Sequence, residues 1–308
     1  MRWGIGRDTY IVTPGLYALG SPTSESPVVV TANYKMTFDL VRRDLDGLDA
    51  WLLVLDTKGI NVWCAAGKGT FGSDELLARI NACGLAEVVS HRRLILPQYG
   101  AVGVAAHTIR KQSGFKVIYG PVRVIDLPGF IAADYQATEG MRSATFCFYE
   151  RLVLTPVEFI VLWKEIAWAF PTLLILGGIG PHWFSFAAAW QRGLTAWLIG
   201  LLGVLCGAVL TPLLLPWLPG RAFAFKGGLV GITLGLLCGL AWVDSLGLMN
   251  GLASALSIGA LSSYCAMNFT GSTPFTSPSG VEKEMRRAIP LQVAALLAAA
   301  ALWIWTAF

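Results

Sequence analysis

Cys64 is the residue whose type and setting could do chemistry. It lies in DTKGINVWCAAGKGTFGSDEL (56–76), where Gly59, Gly67, Gly69 and Gly72 let backbone approach a large ligand closely. Lys68, four residues on, is the kind of neighbour that favours a thiolate, the form of cysteine that binds metal or attacks carbon. A cysteine nucleophile wants a histidine base, and His91, His107 and His182 are the only histidines, none in a recognisable local signature. A phosphate-cradling loop fails on spacing, because Gly59 stands eight residues before Gly67 and Gly69 follows Lys68 where magnesium needs a hydroxyl. Metal ligation is the stronger reading of Cys64, against the plain alternative of a buried small residue. The other cysteines (Cys83, Cys147, Cys206, Cys238, Cys265) form no CxxC or CxxxC pair, so no zinc or iron-sulfur set is visible.

The elements that must position this loop alternate. PVVVTANY (27–34) reads as a buried strand and KMTFDLVRRDLDG as a helix ending at Gly47. WLLVLDT (51–57) is a second strand, and SDELLARINACG is a helix with Ser73 as cap and Gly84 as terminator. AEVVSHRRLILP supplies a third strand, GVAAHTIRKQSG a helix, and FKVIYGPV (115–122) a fourth strand. Such alternation predicts a parallel sheet covered by helices. Ligands of these sheets bind beyond the carboxyl ends of the strands, here the loops starting near Thr31, Thr57, Pro97 and Tyr119.

The rest of the chain belongs in lipid. Of 308 residues, 55% are apolar and 14% charged, where a soluble domain carries about a quarter charged. Residues 1–150 hold 15 Lys/Arg and 14 Asp/Glu, whereas 166–308 hold six and three. A net charge of +4, spread along the chain, excludes a nucleic-acid partner as the organising idea. We therefore expect a cytoplasmic domain over 1–150 and a transmembrane domain over 151–308, with spans at about 166–184, 194–217, 225–243, 248–267 and 289–308. Pro171 is a candidate kink in the first span. MRWGIGRDTY lacks the apolar core of a signal peptide, so the first domain is expected to stay where it is made. Arg221 and Lys226 in one loop and Lys283, Arg286 and Arg287 in another then stay inside, Arg192 and Asp244 lie outside, and the C-terminus is outside the inner membrane. The small residues of GGLVGITLGLLCG and GLASALSIGALSS allow close helix packing.

At NVWCAAGK (61–68) the sequence resembles the mercury-methylation corrinoid proteins, the HgcA family, membrane relatives of the large subunit of the corrinoid iron-sulfur protein. The likeness extends to PVVVTANYKMTFDLVRR, LILPQYGAVGVAAH, KVIYGPVRVIDLPGF and MNFTGSTPFTSPSGVEKEMR (267–286). It implies an α/β Rossmann-like corrinoid-binding domain followed by an all-α transmembrane domain of five helices. Cys64 would be the lower axial ligand to the cobalt of a cobalamin-type corrinoid, and the catalytic residue. Thr31 and Thr37 would face the corrinoid, Asn61, Val62 and Trp63 would cap its lower face, and Ala65, Ala66, Gly67 and Lys68 would shape it. Pro97, Gln98, Gly100 and Gly103, with Tyr119, Gly120 and Pro121, would line the nucleotide tail.

The residues agree on two counts. The DxHxxG pattern of histidine-ligated corrinoid proteins is absent, since His91 precedes Arg-Arg-Leu and His107 precedes Thr-Ile-Arg. This chain also lacks a cysteine set for its own iron-sulfur cluster. The resemblance therefore implies a ferredoxin-like partner with two 4Fe-4S clusters, of HgcB type, and a methyl-donor protein of the methyl-folate route. The implied activity is methyl transfer from methyl-cobalt(III) to mercury(II), favoured by thiolate donation opposite the methyl group. Carbanion transfer would leave cobalt(III) and need two electrons per cycle; radical transfer would leave cobalt(II) and need one. The loop 269–287 is either a solvated connector or a place where mercury or the partner is received. Two rival functions are a corrinoid methyl carrier with another acceptor, and a membrane transporter or sensor with a regulatory domain.

Overall fold

The computed structural model describes residues 10–271 and 278–308. Contacts divide the chain between Thr145 and Phe146 into two units. The boundary expected at 150 falls inside a helix of the second unit that begins at Phe148.

The first unit is a five-stranded sheet of β1 (Gly15–Leu19), β2 (Val28–Ala32), β3 (Ala50–Leu55), β4 (Arg93–Leu96) and β5 (Lys116–Tyr119), in the order β1-β3-β2-β4-β5. The four strands expected from the alternation run parallel. β1 is an addition, antiparallel to β3 from Gly15 opposite Val54 to Leu19 opposite Ala50. All five residues of β2 are buried, as a parallel strand covered on both faces requires.

Between these strands lie α1 (Lys35–Asp44), α2 (Val62–Lys68), α3 (Ser73–Ala82), α4 (Leu85–Val88) and α5 (Ala106–Ser113), and α6 (Leu127–Ala132) follows β5. Because side chains alternate across a strand, Val29 joins Phe38, Val41, Leu52, Val54 and Phe130 under α1 and α6. Val28 and Val30 join Ala65, Phe71, Leu76 and Ile109 under α2 to α5 on the other face. Each fully buried Val, Leu or Phe contributes about 1.5–3 kcal/mol. The chain steps from β2 to β3 in one direction with α1 on one face, and from β4 to β5 in the other with α5 on the opposite face. The reversal lies between β2 and β4, the switch point where open sheets of this kind form a ligand crevice.

The second unit is helical. α7 (Phe148–Gly178) continues through Pro156 and Pro171 and gives way to a hairpin pairing Ile179–Gly180 with Trp183–Phe184. α8 (Phe186–Ala188), α9 (Leu194–Leu205) and α10 (Thr211–Leu214) are joined by π-helical turns over 189–193 and 206–210. α11 (Phe223–Ala241), α12 (Val243–Gly271) and α13 (Pro278–Trp305) complete the unit, with α12 interrupted at Gly247, whose φ is 76°. Among the described residues five stretches are long and apolar enough to cross a membrane: Phe159–Gly178, Phe186–Leu214, Phe223–Ala241, Gly247–Phe269 and Gly280–Trp305.

Several expected bounds move. The first stretch stops at Gly178 rather than 184 because the hairpin takes over, and the second starts at Phe186 rather than 194. Arg192 and Lys226, expected in loops, lie inside helical stretches. Lys226 donates from Nζ to Leu215 O at 2.9 Å. The connector expected over 269–287 is largely helix, since α12 reaches Gly271 and α13 starts at Pro278; residues 272–277 lie outside the described residues, as do positions 1–9 of the opening segment. The small residues do bring helices together. A Cβ on Gly231 would stand 2.6 Å from Ile258 O, and one on Gly235 2.6 Å from Ala255 Cα, so α11 and α12 touch backbone to backbone.

Candidate functional site

The loop from β3 into α2 is fastened by a residue on the neighbouring strand. Asn33 follows β2 and is 2% exposed. Its side-chain oxygen accepts from Thr57 N (3.0 Å) and Gly59 N (3.0 Å), and its amide donates to Asp56 Oδ1 (3.2 Å). Thr57 Oγ1 lies 2.8 Å from that oxygen and 2.6 Å from Ile60 O, sharing one proton between them. Lys58 and Gly59 turn the chain in the left-handed region, with φ of 58° and 70°. Asp56 N donates to Glu75 Oε1 (2.8 Å), and Glu75 pairs with Arg79 on α3. Lys58 hydrogen-bonds the Asp56 carboxylate and holds it below its ordinary range, against the opposing effect of partial burial.

This anchored loop delivers α2, a seven-residue helix where the sequence showed only a glycine-rich loop. Asn61 is its N-cap, and its side chain accepts from Cys64 N at 2.9 Å. Gly69 ends it with φ 81°. Val62, Ala65 and Ala66 are buried, Trp63 and Cys64 are half-buried, and Gly67 and Lys68 are exposed. Cys64 is thus a free thiol in a fixed backbone, reachable from solvent. Trp63 meets Tyr99 edge to face, with ring centroids 5.3 Å apart. Among the described residues no three His, Cys, Asp or Glu side chains group as a metal site.

The segment after β4 comes beside α2, where Gly100 and Gly103 make close packing contacts. A Cβ on Gly103 would lie 2.1 Å from Phe71 O and 3.1 Å from Ala66 Cα, and one on Gly100 2.5 Å from the Phe71 ring. These glycines let the 3-10 turn Gln98–Val102, capped by Pro97, press on the Cys64 helix. Gln98 hydrogen-bonds Arg142. Tyr119 donates from its hydroxyl to Val104 O at 2.7 Å, and burial raises the pKa of that hydroxyl. Arg142 donates to Tyr119 O at 3.1 Å, while Gly120 and Pro121 are buried behind it. Thr31 is 2% exposed within β2. Thr37 is half-buried on α1, on the sheet face opposite α2. Neither threonine joins the cluster around Cys64.

Ser73 is not the cap of α3. Gly72 holds that position, and Ser73 Oγ accepts from Ala105 N at 2.8 Å, tying α3 to the entry of α5. His91 lies against Ser26 O at 2.8 Å, with its other ring nitrogen accepting from Arg93 N, a structural use. The residue missed from sequence is Asn33. Its signal was an asparagine placed directly after a strand, where its side chain can bond nearby backbone.

Residues 7–130 match the family model described as CO dehydrogenase/acetyl-CoA synthase delta subunit. Among curated proteins, the acetyl-CoA decarbonylase/synthase complex subunit gamma of Methanopyrus kandleri is 33% identical over 130 residues, covering 42% of this chain and 28% of that protein. The subunit of the same name from Archaeoglobus fulgidus is 32% identical over 133 residues (42% and 27%), and that from Methanocaldococcus jannaschii 39% over 97 residues (31% and 20%). The chain spans little more than a quarter of the length of these relatives at most. The family match ends at 130, before α7 begins at Phe148, and so lies wholly in the unit that carries Cys64.

Proposed function

We propose that this chain is a corrinoid-dependent methyltransferase that passes a methyl group to mercury(II), forming methylmercury, and that Cys64 would hold the cobalt of the corrinoid. The observation that carries the reading is a lone, half-exposed thiol on an Asn61-capped helix, inside the segment that matches the acetyl-CoA decarbonylase/synthase relatives. Making or splitting acetyl-CoA joins or separates a methyl group and a carbonyl, so methyl carriage is the chemistry implied by the relatives' names.

The donor set suits a corrinoid better than a bare ion. A free divalent metal wants three or four protein ligands, and the described residues offer no such group. Cobalt held in a corrin ring asks the protein for one axial ligand, and Cys64 supplies one soft donor. Bound there, the corrinoid supplies a methyl group held on cobalt.

The chain's own residues set the conditions. Asn61 fixes the Cys64 amide and hence the direction of the Cα–Cβ bond. Asn33 holds the loop that fixes Asn61. The Trp63–Tyr99 pair walls one side of the helix. Cys64 would hold the cobalt through sulfur, a soft donor in keeping with a soft acceptor such as mercury(II). Thr31, Thr37, Gln98 and the Tyr119–Pro121 turn remain part of the proposed corrinoid surface through their position at the strand ends. Re-reduction is assigned to a ferredoxin-like partner with two 4Fe-4S clusters, methyl supply to a methyl-folate donor protein, and the apolar stretches to the inner membrane with the sheet unit in the cytoplasm.

The test is Cys64→Ala in the full chain supplied with corrinoid, reductant and mercury(II). Loss of methylmercury with corrinoid still bound supports the assignment, and undiminished activity overturns it. Formation of another methylated product at the same site, with mercury inert, would replace the acceptor and leave the carrier role intact.

A further inference from the structure

The second unit holds a feature that no methyl-transfer role uses. A cleft of about 710 Å3 opens between α7, α9, α12 and α13, at the end of the helices where α7 stops and α12 begins. Its lining mixes polar side chains, among them Gln191, Arg192, Thr195, Ser245 and Thr306, with apolar ones, among them Leu173, Leu176 and Leu296. A second cleft of about 320 Å3 shares Thr195, Ile199, Ser245 and Ser254 with the first and runs toward α11 past Leu202 and Trp242. The two are therefore arms of one fork that meet at a hydroxyl-lined junction.

Arg192 is the one charged side chain lining either arm. Its Nη2 donates to Trp303 O at 2.7 Å, and the guanidinium stacks 5.1 Å over the Trp303 ring, which pins it between the second apolar stretch and α13. Among the described residues it has no carboxylate partner. A guanidinium without a counter-ion in a stretch apolar enough to cross a membrane is costly. A phosphate diester offsets that cost, because the planar fork of arginine matches phosphate oxygens. The larger cleft has neither carboxylate nor thiol in its lining, so a metal cation is a poor fit.

We propose that the forked cleft is a binding site for a diacyl phospholipid of net negative charge, its headgroup phosphate on Arg192 and one acyl chain in each arm. This rests on charge complementarity at Arg192 and on the division into two apolar arms, and it is independent of the corrinoid reading.

The experiment is native mass spectrometry of the full chain, with phosphatidylglycerol, phosphatidylcholine and inorganic phosphate as probes. One lipid-facing cationic charge is worth about 1 kcal/mol, or about a fivefold preference, so the native chain retains phosphatidylglycerol over phosphatidylcholine by about that factor. Arg192→Gln brings the ratio near one, Arg192→Lys keeps most of it, and Arg287→Gln, which removes a charge elsewhere, leaves it unchanged. Equal retention of the two lipids by the native chain overturns the proposal without any variant. So does an unchanged ratio in Arg192→Gln. Displacement of the lipid by an equal concentration of inorganic phosphate also overturns it, because the arms would then contribute nothing.

Discussion

Asn33→Ala tests the idea that a buried amide on one strand sets the position of Cys64 on the next helix. The substitution removes the acceptor for Thr57 N and Gly59 N and the donor to Asp56. Thr57 is fully buried, and a buried donor left unsatisfied costs about 1–3 kcal/mol. Gly59 is half-buried and can turn to water, so its loss is nearer a net hydrogen bond, about 0.5–1.5 kcal/mol. Thr57 Oγ1 keeps Ile60 O as an acceptor and adds little. The sum is about 1.5–4.5 kcal/mol. If it falls on local opening, exchange of the amides at 57 and 59 should rise by about 10- to 1,600-fold, taking about 1.4 kcal/mol per factor of ten. Hydrogen exchange with mass spectrometry on the full chain in detergent reads this directly, and alkylation of Cys64 should accelerate with it. Peptides from α3 should change far less, because Leu76 and Ile80 keep their core contacts. Unchanged exchange at 57–59, or equal acceleration across the whole unit, would refute the local clamp.

Other expectations follow from the same geometry. Gly103→Ala places a methyl 2.1 Å from Phe71 O, an overpacking that costs about 1–3 kcal/mol; it should lower the Tm of the full chain and weaken the Trp63–Tyr99 contact, seen as altered tryptophan fluorescence. Asp56 is held below its ordinary value of 3.8 chiefly by Lys58. Its contribution is therefore present above pH 3.8 and lost as pH falls through the lower folded value. Loop exchange should rise in that acid window, and Asp56→Asn should flatten the dependence. Tyr119 has the opposite sense, since burial raises its pKa from 10.0. Stability should fall as pH rises above 10, and Tyr119→Phe should remove that loss while sacrificing the hydrogen bond to Val104 O.

What the sequence disclosed follows from which forces are local. β2 and β3 were legible because VVVTA and AWLLVL are apolar runs framed by turn residues. β1 was not, because GLYAL is a short, half-exposed edge strand whose pairing with β3 comes from residues 31 to 39 positions away. α2 stayed hidden because seven residues with a glycine give no helical period; the Asn61 cap and the buried Ala65 and Ala66 make it a helix. The second membrane stretch was misplaced at its start because Gln191 and Arg192 read as loop residues, whereas they lie inside the helical stretch Phe186–Leu214. Cys64 could be chosen from its type and its glycine-rich setting. Asn33 could not, because its function appears only when the loop 24–26 residues later folds back onto it. Gly100 and Gly103 were assigned to the nucleotide tail from their position after a strand end, and their close packing on Phe71 appears only in the fold.

The most direct measurement is cobalt analysis with a visible spectrum of the full chain, purified anaerobically from cells supplied with corrinoid, beside its Cys64→Ala variant. The account predicts about one cobalt per chain in the native protein and a sulfur-ligated corrinoid spectrum that turns water-ligated in the variant. A native chain that is colourless and cobalt-free, and stays so after incubation with cobalamin, would contradict it, as would identical spectra from the two proteins.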